Sequence, residues 1–220
     1  MKNLILIAMI VLLSAFPVFA QGQKVGLSWT EQYRWHGFEV FGDEYVHPGI
    51  STTVQGIDVS AVSHIGQAHD DIEYWDAIVG YKMPLGGLDV KVGYGYLIFP
   101  GVDIQELSAT ISLPGVISPR YTICHAIPDD GDSGQFHVIG VDIALGDPEV
   151  ISAVLMGDIT FNDFGPEIRD WSHATAGLAV NVPIGKLNFS PAVYYQHTIE
   201  PMVNDNVDEV WVAASLSYKF

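Results

Sequence analysis

The stretch 210–220 alternates without a break. Val210, Val212, Ala214, Leu216, Tyr218 and Phe220 occupy one phase; Trp211, Ala213, Ser215, Ser217 and Lys219 occupy the other. A period of two puts successive side chains on opposite faces of an extended strand, here one apolar face and one mostly polar face. Similar alternation recurs along the chain in segments of about ten residues, each bounded by turn residues. After residue 20 there is no run of ~20 consecutive apolar residues, so no membrane-crossing helix is expected. A chain patterned in this way makes sheet, and its apolar faces must meet either a protein core or hydrocarbon.

Composition favours hydrocarbon. The chain is 49% hydrophobic and only 16% charged, whereas a soluble domain carries about a quarter of its residues as charges. Low charge without an apolar helix is what a lipid-facing barrel shows, because half of every strand must be apolar. The formal net charge of −17 argues against nucleic acid or anionic lipid bound through a basic patch. Many of the acids fall in blocks such as Asp70-Asp71, Asp129-Asp130-Gly131-Asp132 and Asn204-Asp205-Asn206, which read as solvated loop tips. The single cysteine, Cys124, excludes an internal disulfide and reads as a buried small residue.

Lys2, an apolar run from Leu4 to Leu13, and a small residue at Ala20 have the form of a secretory signal peptide over residues 1–20. The expected mature chain, 21–220, is then a single barrel domain. Its expected strands run over about 24–35, 48–55, 57–65, 72–83, 88–98, 105–113, 117–127, 136–145, 150–161, 171–182, 187–198 and 208–220. In the first, Glu31 falls in the apolar phase, so the alternation slips there, as a bulge would make it. Connections alternate in character. Those at Gln55-Gly56, 84–87, 114–116, 146–148 and 183–186 are tight; those at about 36–47, 66–71, 99–104, 128–135, 162–170 and 199–207 are longer and more acidic. The expected fold is therefore an all-β, up-and-down antiparallel transmembrane barrel of twelve strands, with ten or fourteen as alternatives, both chain ends lying on the periplasmic side.

The terminal stretch, with Leu216, Tyr218 and Phe220 on its apolar face, resembles the C-terminal assembly signal of bacterial outer-membrane β-barrels. That resemblance implies a Gram-negative outer-membrane location, with the lipid bilayer, the barrel-assembly machinery and periplasmic chaperones as partners. The segment Leu27-Ser28-Trp29-Thr30-Glu31-Gln32-Tyr33-Arg34-Trp35-His36-Gly37, followed by Pro48 and the Gln55-Gly56 turn, is similar to the first hairpin of a proteobacterial family of secreted outer-membrane barrels of unknown function. That family carries a Tyr-Arg-aromatic-x-Gly motif there. The likeness extends to Asp71-Ile72-Glu73-Tyr74-Trp75-Asp76 and Val92-Gly93-Tyr94-Gly95-Tyr96 and covers roughly residues 25–100. Trp35-His36 departs from the more usual Phe-Arg. The resemblance implies barrel form and location and transfers no catalytic residue.

Charges in hydrocarbon cost ~2–4 kcal/mol each near mid-membrane, so Arg34, Asp58, Asp76, Lys91, Glu106, Arg120, Asp142 and Asp158, all in the polar phase, are expected to line the lumen. They would either border a narrow wet channel with a slight preference for cations, or pair and plug the interior. Eight histidines, expected near the exterior end, offer a metal-binding rim with Asp70, Asp71 and Glu73. No two have a compact ligand spacing on one face, and amphipathic interface residues are the simpler reading. No metal or cofactor is expected. Asp76, His64, His173 and Ser172 would be the material for an outer-rim enzyme acting on lipid or peptide, but alternation puts Ser172 toward lipid and His173 inward, which separates a nucleophile from its base. A secreted soluble β-sandwich that binds a ligand is the remaining alternative.

Overall fold

The computed structural model describes residues 23–31, 33–36, 38–41, 44–66, 72–99, 101–164, 169–200 and 208–220; the expected signal peptide lies outside the described residues. Strands run β1 (Lys24–Thr30), β2 (Tyr33–Trp35), β3 (Phe38–Phe41), β4 (Tyr45–Val54), β5 (Ile57–Gly66), β6 (Ile72–Leu85) and β7 (Leu88–Phe99). They continue as β8 (Val102–Ser112), β9 (Ile117–Pro128), β10 (Gly134–Asp147), β11 (Ile151–Asp163), β12 (Arg169–Ile184), β13 (Leu187–Thr198) and β14 (Glu209–Lys219). β1 and β4–β14 form one antiparallel sheet that closes on itself, β1 pairing with β4 on one side and with β14 on the other. These are the twelve strands expected, and a single closed sheet excludes the two-layered sandwich.

Closure follows from the alternation. Val92, Leu107, Ile139, Leu155 and Leu216 are all large, apolar and exposed on one face of the wall. Among the described residues no second layer covers them, so this face is matched to hydrocarbon. Every described connection at the end bearing the chain termini is short. At Gln55–Gly56 (φ 52° and 83°) and Gly86–Gly87 (φ 58° and 88°) both central residues are left-handed, the geometry that joins two twisted strands through a two-residue turn.

Two expectations are corrected. The first segment does not run to residue 35: β1 leaves the wall at Thr30, and the slip at Glu31 marks that exit. Beyond it the chain forms a separate two-stranded ribbon, β2–β3. The connection expected at 99–104 is two residues long, since β7 ends at Phe99 and β8 begins at Val102, with Gly101 at φ 94°.

Inside the cylinder, near the end opposite the termini, Tyr45, Tyr74, Leu97, Phe99, Ile104, Cys124, Ala126 and Phe136 form a buried cluster, joined by Val102 and Phe164. The exterior end of the lumen therefore has a protein core of its own.

Candidate functional site in the barrel lumen

The polar phase converges inside the wall in three groups, the first a set of ion pairs on the inner face. On β9, β10 and β11, Arg120 sets Nη2 3.1 Å from Asp158 and Nε 3.4 Å from Asp142, donating to both carboxylates. Asp58 accepts from Thr53 Oγ1 at 2.7 Å and lies 4.0 Å from Lys91 Nζ. Lys82 and Asp89 pair at 2.6 Å between neighbouring strands.

The second group is a chain of rings and a carboxylate. His47 Nδ1 lies 2.7 Å from His64 Nδ1, and His64 Nε2 lies 3.0 Å from Asp76 Oδ2. A carboxylate only accepts, so His64 Nε2 carries the proton, and a neutral His64 then accepts at Nδ1 from His47. All three are buried, and Tyr74 stacks on His64 at 3.9 Å.

The third group joins the ribbon to the wall. His36, at φ 49° in the turn between β2 and β3, stacks on Phe136 of β10 at 4.1 Å. Its Nε2 lies 2.6 Å from Glu106 Oε2 of β8. The connection after β1 thus folds back so that its turn residue enters the lumen. Below it, His36, Asp158, His173, Gln196 and Trp211 border a cavity of about 210 Å³. Toward the terminal end, Ser28, His47, Gly49, Ser51, Ser60 and Ser215 border another of about 300 Å³.

Among the expected lumen residues, Asp58, Asp76, Lys91, Glu106, Arg120, Asp142 and Asp158 take part in these contacts. Arg34 belongs to the ribbon, opposite Glu39, and not to a wall strand; its side chain lies outside the described residues. Leu216 and Phe220 are exposed on the outer face, with the Tyr218 ring 5.0 Å from that of Phe220. Of the histidine and acid rim that could bind metal, His69, Asp70 and Asp71 and the side chain of Glu73 lie outside the described residues. At the outer end of β13, His197 Nδ1 and Tyr195 Oη bond the two oxygens of Asp208 at 2.8 and 3.0 Å.

The expected outward position of Ser172 is overturned. The β11–β12 register shifts between Thr160 and Phe161, leaving Ser172 as the extra residue of a bulge. It is fully buried, with Oγ 2.9 Å from His173 Nδ1. Yet His64 and Asp76 stand on β5 and β6, with β7–β11 between them and β12, so the four residues do not meet. The serine also addresses Nδ1, whereas in the Ser-His-Asp arrangement it faces Nε2 and the acid takes Nδ1. Cys124 is buried, as its reading as a buried small residue expects; Phe136 and Gln196 escaped sequence reasoning, because an apolar or amide residue in a lumen phase carries no spacing signal.

No protein-family profile and no curated protein sequence matches this chain. Solved structures do match its fold. The NanC porin aligns with a TM-score of 0.62 at 11% identity, over 89% of this chain and 100% of that one. The KdgM porin in complex with disordered oligogalacturonate aligns at 0.59 and 8% identity, over 91% and 99%. The COG4313 outer membrane channel from Pseudomonas putida F1 aligns at 0.56 and 11% identity, over 93% and 98%. The chain has the fold of small outer-membrane β-barrels.

Proposed function

We propose that this protein is a narrow passive pore of a Gram-negative outer membrane, passing small solutes with a preference for cations. The observation that carries the reading is the lumen itself. A chamber lined by Ser28, Gly49, Ser51, Ser60 and Ser215 stands at the terminal end, and a ribbon turn is folded in from the exterior end, where His36 meets Glu106. Twelve strands enclose more space than side chains alone fill in the smallest barrels, and small hydroxyl-bearing residues on the inner face leave that space to water. Among the described lumen charges named above, the carboxylates of Asp58, Asp76, Asp89, Glu106, Asp142 and Asp158 outnumber Lys82, Lys91 and Arg120. A polyanion of the kind found with KdgM is therefore a poor match, and cations are favoured. Resemblance of the first hairpin to the Tyr-Arg-aromatic-x-Gly barrel family implies the barrel form and outer-membrane location that this reading needs, as does the terminal Leu216-Tyr218-Phe220 pattern. On this reading the surroundings are outer-membrane lipid, and the partners in biogenesis are periplasmic chaperones and the barrel-assembly machinery. Purified protein in planar bilayers is expected to give small, cation-selective steps. A silent, sealed bilayer from protein that still migrates anomalously before boiling overturns the pore and leaves a structural envelope protein.

An enzyme is the second reading, and it rests on the Ser172–His173 contact alone, without the acid of a triad and through Nδ1. Ser172→Ala changing the outer-leaflet lipid or peptide products of a reconstituted membrane would support it; identical products would end it.

A further inference from the structure

We propose that His36, Glu106 and Cys124 form a binding site for a transition-metal ion of the zinc class, which fastens the ribbon turn to the barrel wall. The three side chains come from three elements: the β2–β3 turn, β8 and β9. Their ligand atoms, one imidazole nitrogen, one carboxylate oxygen and one sulfur, all lie within 4.8 Å of one another. Cys124 is only 4% exposed, and the side chains of His36 and Glu106 are each 18% exposed. The site is therefore largely withdrawn from water, where charge-assisted contacts strengthen. The Phe136 ring backs the imidazole at 4.1 Å and limits its rotation.

The donor set selects the ion. A thiolate and an imidazole suit zinc, cobalt(II) and copper, while calcium and magnesium want oxygen alone. Tetrahedral zinc with bonds of 2.0–2.3 Å keeps its ligand atoms about 3.3–3.8 Å apart. The 2.6 Å contact between His36 and Glu106 must then lengthen, which the spread of the three atoms allows. Three protein ligands leave a fourth position for water. Binding takes the thiol proton of Cys124, which leaves to solvent, and needs His36 neutral at Nε2 and Glu106 ionised. Other clusters of the described residues lack this mix: the Arg120–Asp142–Asp158 group already holds a guanidinium and offers no nitrogen or sulfur ligand, and in His47–His64–Asp76 the two contacts use opposite nitrogens of His64, so the ligand atoms do not converge on one point.

Metal binding is read without any current, so this inference and the pore are tested separately. The experiment titrates cobalt(II) into the metal-free folded barrel in detergent, with a non-chelating reductant present. One equivalent is expected to bring up a thiolate-to-cobalt absorption band that added zinc erases. With a single cysteine in the chain, that band in the native protein identifies Cys124 whatever the variants do. C124S is expected to abolish it. H36A and E106Q are expected to weaken cobalt binding at least about tenfold, the lower edge of what losing even an outer-shell partner costs. H197A, which removes a distant histidine, leaves it unchanged. Absence of the band in the heat-modifiable native barrel overturns the site, and so does a band of unchanged affinity in both H36A and E106Q.

Discussion

Arg120 reaches across Gly140 to set its guanidinium 3.1 Å from Asp158, two strands away. Gly140 stands directly opposite Arg120 on β9 and directly opposite Asp158 on β11. A Cβ on Gly140 would come within 2.7 Å of Arg120 Cζ, so the absent side chain is what lets the guanidinium lie flat against the wall. Three residues in line on three strands thus set a cation against one acid, and Asp142, two residues along β10 from Gly140, supplies the second.

Gly140→Ala tests that arrangement. The group it displaces is the far end of a flexible side chain, so the barrel is expected to fold, with stability changed by no more than about 1 kcal/mol, the range of partly exposed ion pairs. Asp142 and Asp158 then lose their shared partner. Reversal potentials in planar bilayers are expected to move toward stronger cation selectivity, and an unchanged potential would separate this triad from the conducting path.

His36→Ala addresses the ribbon. It removes both the stacking on Phe136 and the contact with Glu106 while leaving every wall strand intact. Single-channel conductance is expected to rise, and the heat-dependent shift in electrophoretic mobility is expected to stay.

The two faces of the wall are separable by substitution. Val92→Arg places a charge on the outer face midway along β7 and is expected to cost ~2–4 kcal/mol, visible as a lower urea midpoint for folding into lipid vesicles. Ser60→Lys, on the lumen side, is expected to leave that midpoint nearly unchanged and to lower the conductance of cations.

A pH dependence belongs to the outer rim. Hydrogen bonds from His197 and Tyr195 hold the Asp208 carboxyl below the usual carboxylate range. A depressed folded-state value stabilises the rim above the ordinary carboxylate pKa, and that contribution is lost as pH falls through the depressed value. The carboxyl carbon resonance of Asp208 is expected to titrate at lower pH than that of a free aspartate. His197→Ala is expected to move the midpoint back upward.

How far the sequence could be read depends on the range of the interaction. Alternation in 88–98, 105–113 and 210–220 is a property of each strand alone, since it records which side chains face hydrocarbon. It disclosed the strand number and the tight turns, Gln55-Gly56 among them. Where the signal was one residue out of phase it misled. Glu31 marks the end of a wall strand, which alternation alone does not distinguish from a bulge. Ser172 falls in the lipid phase of the alternation, while the bulge that buries it depends on the register of the neighbouring strand.

Sequence alone determined that this chain is built of strands with one apolar and one polar face and pointed to hydrocarbon outside the sheet, because a period of two and a scarcity of charge leave few other places for so many apolar side chains. Only the tertiary structure decided what stands inside. The ribbon after β1 folds back into the lumen, and His36 meets Glu106 and Cys124 there, from strands distant in sequence. Such encounters are set by barrel closure and the path of one connection, and neither leaves a periodic trace in the residues themselves.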